Sequence, residues 1–121
     1  MADIRATEPE ILAIRPAGMG VELDLAVPPG LLYFEGHFPG FAILPGIVQV
    51  DWAIRLARRY LAIGTRQPMA MQVKFRAPVQ PGYRLRLVLS VVTDTRGERL
   101  SFEYRSGETI HASGKIGLGP A

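Results

Sequence analysis

The chain contains no cysteine. Disulfide frameworks, thiolate zinc sites and cysteine nucleophiles are therefore excluded. Histidine is almost as scarce. The two residues, His37 and His111, are too few for a multi-histidine metal cage. Serine occurs only at Ser90, Ser101, Ser106 and Ser113, and none lies in a G-x-S-x-G elbow. Long apolar runs are missing too. The longest, Phe41 to Val50, is interrupted by Pro45, Gly46 and Gln49 and falls far short of a membrane span. Met1 to Glu10 carries three acids and no apolar run, unlike a secretory signal. These absences lead to the expectation of a soluble, cytoplasmic protein with no membrane partner.

What is present is enough for a packed fold. The 121 residues, 48% hydrophobic and 21% charged, are expected to form one domain over 1–121. A chain of this size buries roughly two thirds of the surface it exposes when unfolded. The net charge of +3 is modest, but it is unevenly spread. No acid lies between Asp51 and Asp94, whereas Arg55, Arg58, Arg59, Arg66, Lys74, Arg76, Arg84 and Arg86 all do. Such a segment can steer an acidic partner or a phosphate-bearing ligand, or can simply be a solvated surface. Nucleic acid fits poorly, because no basic-aromatic RNA-binding motif is present.

Hydrophobic period places the elements. Glu10 to Arg15 is a short apolar-rich piece ended by Pro16. Val21, Leu23, Leu25 and Val27 alternate with Glu22, Asp24 and Ala26, as in a half-buried strand. A Gly-, Pro- and aromatic-rich loop follows from Leu31 to Leu44. Pro45 suits the first turn of a helix. That helix is expected from Gly46 to about Ile63, with Gly64 as its stop. Its first half is apolar on most sides and so buried. Its second half turns Arg55, Arg58 and Arg59 outward. Met69–Ala77, Tyr83–Val91, Leu100–Tyr104 and Ile110–Ile116 read as strands, mostly joined by short turns and therefore antiparallel. One buried helix against a long antiparallel sheet is an α+β architecture, with the sheet curled around the helix. Its edges need protection, which dimerisation through edge strands would supply. His111 falls on the polar side of the last strand and is expected to face solvent.

The chemistry concentrates before and within the helix. The segment 34–46 reads Phe34-Glu35-Gly36-His37-Phe38-Pro39-Gly40-Phe41-Ala42-Ile43-Leu44-Pro45-Gly46. Asp51 follows His37 by fourteen residues, inside an apolar helix. Together with Lys74-Phe75-Arg76-Ala77-Pro78-Val79-Gln80-Pro81-Gly82, this pattern resembles the β-hydroxyacyl-acyl-carrier-protein dehydratases of the FabA/FabZ type, which have the hotdog fold. The resemblance covers roughly Val21 to Leu118. It implies His37 as the catalytic histidine and Asp51 as the catalytic acid. It also implies that the Gly46 backbone N–H binds the thioester carbonyl. Gly40, Phe38, Phe41, Trp52 and Arg55 complete the implied substrate-binding set, with Trp52 and Phe41 as core or tunnel lining. It further implies acyl carrier protein as partner, no cofactor beyond the carrier's phosphopantetheine arm, and a homodimer or assembly of dimers. In such a dimer the histidine and the acid of one site come from different subunits. With Trp52 after Asp51, the helix looks closest to stand-alone dehydratases of aryl-polyene-type pathways.

The chemistry of these groups agrees with those roles. Dehydrating a 3-hydroxyacyl thioester needs a base for the C2 proton and an acid for the leaving hydroxyl. Histidine serves as base near neutral pH. A carboxylic acid in an apolar helix can hold a proton. A free N–H at a helix start suits the charge that develops on the thioester oxygen. Two departures stand out. The family usually has glutamine four residues after the acid, and Arg55 stands there. A carboxylate paired with arginine at i+4 is a poor proton donor, though it can orient a water or act as a base. Tyr83 replaces the acid often found after P-V-x-P-G. A hotdog thioesterase and a non-catalytic acyl- or carrier-binding module are the competing readings.

Overall fold

A computed structural model of the chain describes residues 7–31, 34 and 42–120. His37, Phe38, Gly40 and Phe41 lie outside the described residues. The elements are β1 (Glu10–Ala17), β2 (Gly20–Ala26), α1 (Gly46–Tyr60), β3 (Pro68–Phe75), β4 (Arg84–Asp94), β5 (Gly97–Ser106) and β6 (Thr109–Leu118). The strands form one six-stranded sheet in the order β1-β2-β4-β5-β6-β3, with every neighbouring pair antiparallel. The α+β arrangement expected from the hydrophobic period is what the chain adopts.

Alternation along the strands builds the core. Leu23 and Leu25 of β2, Leu85, Leu87 and Leu89 of β4, and Leu100, Phe102 and Tyr104 of β5 all point to one face and are buried. Helix α1 lies on that face against β4 and β5, and buries Val48, Val50, Trp52, Ala53, Leu56 and Ala57. Each fully buried leucine of this layer contributes roughly 1.5–3 kcal/mol. The opposite face is polar. There Arg15 bridges Glu22 and Asp24 at 2.6 and 2.8 Å, which pins β1 to β2 through side chains. That hydrogen bonding holds the Asp24 carboxyl below its ordinary range and the Arg15 guanidinium above its own.

Strand bounds shift by a few residues from the sequence expectation, and two element ends differ for a physical reason. β1 runs through Pro16 to Ala17, because an edge strand tolerates a residue with no ladder N–H. α1 ends at Tyr60, where Leu61 takes an extended backbone. Gly64, with φ +58°, then serves the turn beyond the helix rather than its cap.

His111 is the larger correction, since it is 3% exposed rather than solvent-facing. Tyr104 pairs with Ala112 and Arg105 with Ile110, so His111 is the extra residue of a β-bulge. A bulge breaks strict alternation and re-aims the side chain. The imidazole Nε2 meets Ser106 Oγ at 2.6 Å, and Nδ1 lies 3.1 Å from the Pro78 carbonyl and 3.3 Å from that of Ala77. Two carbonyls facing Nδ1 require it to be the N–H donor.

Candidate active site

Helix α1 begins without a side-chain cap. Pro45 occupies the N-cap position with φ −58° and ψ 143°, and its carbonyl accepts from the N–H groups of Val48 and Gln49. The N–H groups of Gly46 and Ile47 are left with no intrahelical acceptor, as the first turn of any helix requires. The positive end of the helix dipole therefore sits at Gly46. Gly46 also has a packing reason to be glycine. A Cβ built there would stand 2.6 Å from Cζ of the Phe75 ring.

The two motifs singled out in the sequence meet at this helix start. The Leu44 N–H donates to the Val79 carbonyl at 2.7 Å, joining the first motif to the second. The second motif is itself anchored on β6. The N–H groups of Arg76 and Ala77 donate to the His111 carbonyl at 2.8 and 3.2 Å. His111 Nδ1 holds the Pro78 carbonyl from the same side. The Arg76–Pro78 segment thus packs on the bulged histidine, which explains why a buried polar residue occupies that point.

Asp51 lies one and a half turns into α1 with its side chain 47% exposed. Among the described residues it is the only ionisable one lining an apolar groove of about 360 Å³, formed with Ile47, Val48, Val50, Ile54 and Met71. Arg55 Nε stands 2.9 Å from Asp51 Oδ2, and the Arg55 Nη1 reaches Glu8 Oε1 at 3.7 Å. Both partners are about half exposed, so the pair is worth only about 0.3–0.5 kcal/mol to the helix. The Asp51 charge is also felt at Tyr104. Burial, and secondarily that charge, push the Tyr104 phenol far above its ordinary value. The phenol therefore stays protonated and donates to the Gln49 carbonyl at 2.6 Å.

The implied substrate-binding set divides in the structure. Asp51 lines the groove, and Gly46 directly precedes its lining residue Ile47. Arg55 is on the helix surface beside Asp51. Trp52 is different. It is 2% exposed in the core, and its indole N–H donates to the Thr7 carbonyl at 3.0 Å. It is not among the described residues that line the groove. Sequence reading gave no site role to Phe75, Met71 or Gln49. Gln49 carried a signal, being the polar residue that interrupts the apolar half of the helix.

The groove is open along β3. That edge strand exposes Met69, Met71 and Phe75, and Ile47 beside it is 77% exposed. An apolar sheet edge that is unpaired among the described residues is open to a further strand.

Comparison with known proteins identifies the family and agrees with the fold. A family model described as ApeI-like, ApeI dehydratase, matches residues 14–115. A solved structure described as the dehydratase heterocomplex ApeI:P from Xenorhabdus doucetiae superposes with a TM-score of 0.81. It shares 32% identity, covering 93% of this chain and 99% of that one. A 3-hydroxyacyl-[acyl-carrier-protein] dehydratase FabZ from Anaeromyxobacter sp. is 32% identical over 114 residues, 74% of this chain and 71% of the relative. Another FabZ, from Geotalea uraniireducens, is 35% identical over 74 residues, 54% of this chain and 51% of the relative. The chain spans about half the length of the latter. The chain belongs to the ApeI-like dehydratase family, within the FabA/FabZ-type hotdog dehydratases.

Proposed function

We propose that this member of the ApeI-like family dehydrates (3R)-3-hydroxyacyl thioesters carried on acyl carrier protein to trans-2-enoyl thioesters. The observation that carries the reading is Asp51, the one carboxyl that lines an apolar groove among the described residues, about one and a half turns from Gly46, whose N–H has no intrahelical acceptor. His37 stands fourteen residues upstream in the matching motif. In this mechanism the His37 imidazole removes a proton from C2. The electron pair moves toward the thioester carbonyl, whose oxygen is held by the Gly46 N–H. The C3–O bond then breaks, and the leaving hydroxyl takes a proton from Asp51 or from a water that Asp51 orients. One such N–H donor is typically worth about 3 kcal/mol in the transition state. Once a second chain closes it, the groove excludes water from the acyl chain, which strengthens the electrostatics of the site.

The working unit is a dimer in which His37 of one subunit and Asp51 of the other share a site. The open groove and the apolar β3 edge support this, since a second chain there would close both. The relative from Xenorhabdus doucetiae is described as a heterocomplex, so the partner of this chain is either a second copy or a related hotdog chain. The reading is of a cytoplasmic enzyme that needs no metal or redox cofactor. The acyl chain is brought to the groove on the carrier's phosphopantetheine arm.

The test is product identity. Purified protein is incubated with a short 3-hydroxyacyl-carrier thioester and the carrier is read by mass spectrometry. Loss of one water with the thioester intact is expected. Release of free acid and carrier thiol would make the protein a thioesterase instead. Tight binding with no change in mass would make it a binding module.

A further inference from the structure

Gln49 is 3% exposed and sits among the apolar residues of the first half of α1. Leucine or methionine would fill that space without burying an amide. The Gln49 Nε2 donates to the Leu44 carbonyl at 3.2 Å, while Oε1 has no hydrogen-bond partner among the described residues. A half-satisfied buried amide lowers stability relative to an apolar residue of the same shape. Departures of this kind are retained where function needs them.

The geometry says what Gln49 does there. Leu44 is gripped on both sides, its N–H by the Val79 carbonyl and its own carbonyl by Gln49 Nε2. The peptide plane between Leu44 and Pro45 is thereby set. The Pro45 ring restricts φ, observed at −58°. The Pro45 ψ is closed by its carbonyl accepting from Val48 and Gln49. No torsion is then left free to turn the Gly46 N–H. Gly46 has no side chain of its own to hold it. Gln49 is in turn tied to the sheet through the Tyr104 hydroxyl on its carbonyl.

We infer that Gln49 is a positioning residue. By clamping the Leu44 carbonyl it aims the Gly46 N–H at the oxygen of the bound thioester. The catalytic part of this inference rests on the dehydratase reading, whereas the clamp itself does not.

The test uses Gln49→Met, which keeps the volume and removes the donor, and Gln49→Glu. For Gln49→Met, kcat is expected to fall roughly 10- to 100-fold with KM changed less than about threefold, since the misaimed donor acts on the transition state. For Gln49→Glu, the rate relative to native protein should rise as pH falls, because a protonated carboxyl again donates to the Leu44 carbonyl and a carboxylate cannot. A merely structural role would not produce that pH dependence. A native-like kcat in Gln49→Met, or a flat Gln49→Glu ratio across pH, overturns the inference. The second result decides the matter if Gln49→Met does not fold. The clamp is also read without turnover. In amide NMR the Gly46 resonance should shift in Gln49→Met while those of β4 stay put, and an unmoved Gly46 amide overturns the inference. If native protein fails to dehydrate its substrate, the functional reading falls and the NMR result alone decides for or against the clamp.

Discussion

Arg55 stands one helical turn beyond Asp51, with its Nε 2.9 Å from the Asp51 carboxylate, and the same guanidinium reaches Glu8 at 3.7 Å. A cation therefore stands beside the candidate acid. That contact holds the Asp51 side chain in one orientation. Arg55→Ala is expected to lower kcat roughly 3- to 10-fold, because the carboxyl group is no longer held in place. Stability changes by less than about 0.5 kcal/mol, as for other exposed pairs. Steady-state kinetics and urea unfolding check this. Native-like turnover would show that Arg55 does not position Asp51.

Gly46→Ala brings a methyl group against the Phe75 ring, whose Cζ would lie 2.6 Å away. Phe75 is 54% exposed and can swing aside, so the fold survives. Turnover is expected to drop at least ~10-fold, because the displaced N–H no longer matches the oxyanion. The double variant Gly46→Ala/Phe75→Leu should recover part of that loss. Additive losses in steady-state kinetics would show that the two residues do not act through each other.

Tyr104→Phe removes the hydroxyl that donates to the Gln49 carbonyl. The expected cost is about 1 kcal/mol at neutral pH, measured by urea unfolding. The pH dependence has a definite sign. Burial raises the Tyr104 phenol above its unfolded value. The folded state must therefore lose stability once pH exceeds roughly 10, where the unfolded phenol ionises and the folded one does not. Tyr104→Phe should flatten that alkaline decline. An equally steep decline in the variant would place its origin elsewhere.

Met71 is exposed on edge strand β3 and lines the groove beside Asp51. A charge on an apolar edge opposes strand pairing. Met71→Asp is expected to shift the protein from dimer to monomer in sedimentation or light scattering, with loss of turnover and retention of the far-UV spectrum. A dimer of undiminished activity would place the subunit contact away from β3.

Much of this molecule was legible from residue order. Period-2 alternation in β2, β4 and β5 marked the core face, because one side of each strand is buried against α1. The helix start was marked by Pro45-Gly46, whose constraints are local. What escaped was non-local. The bulge at His111 depends on how β5 and β6 pair across the hairpin, and no pattern within β6 announces it. The early end of α1 is set by the backbone of Leu61, which has an ordinary side chain for a helix. In the site, Asp51 and Gly46 carried recognisable chemistry. Phe75 and Met71 became site neighbours only when β3 paired with β6 and crossed the mouth of the groove. Trp52 was readable as a large apolar residue, but only packing shows that it faces the core.

The central claim is that one imidazole and one carboxyl from different subunits share an active site. Subunit mixing tests it most directly. His37→Ala and Asp51→Asn are each expected to form folded dimers with turnover reduced at least ~100-fold. When the two are mixed and allowed to exchange, half of the dimers become mixed, and each of those holds one intact site. Recovery to roughly a quarter of native activity is predicted for a two-fold symmetric dimer. No recovery, with mixed dimers verified by native mass spectrometry, would contradict a site shared between subunits.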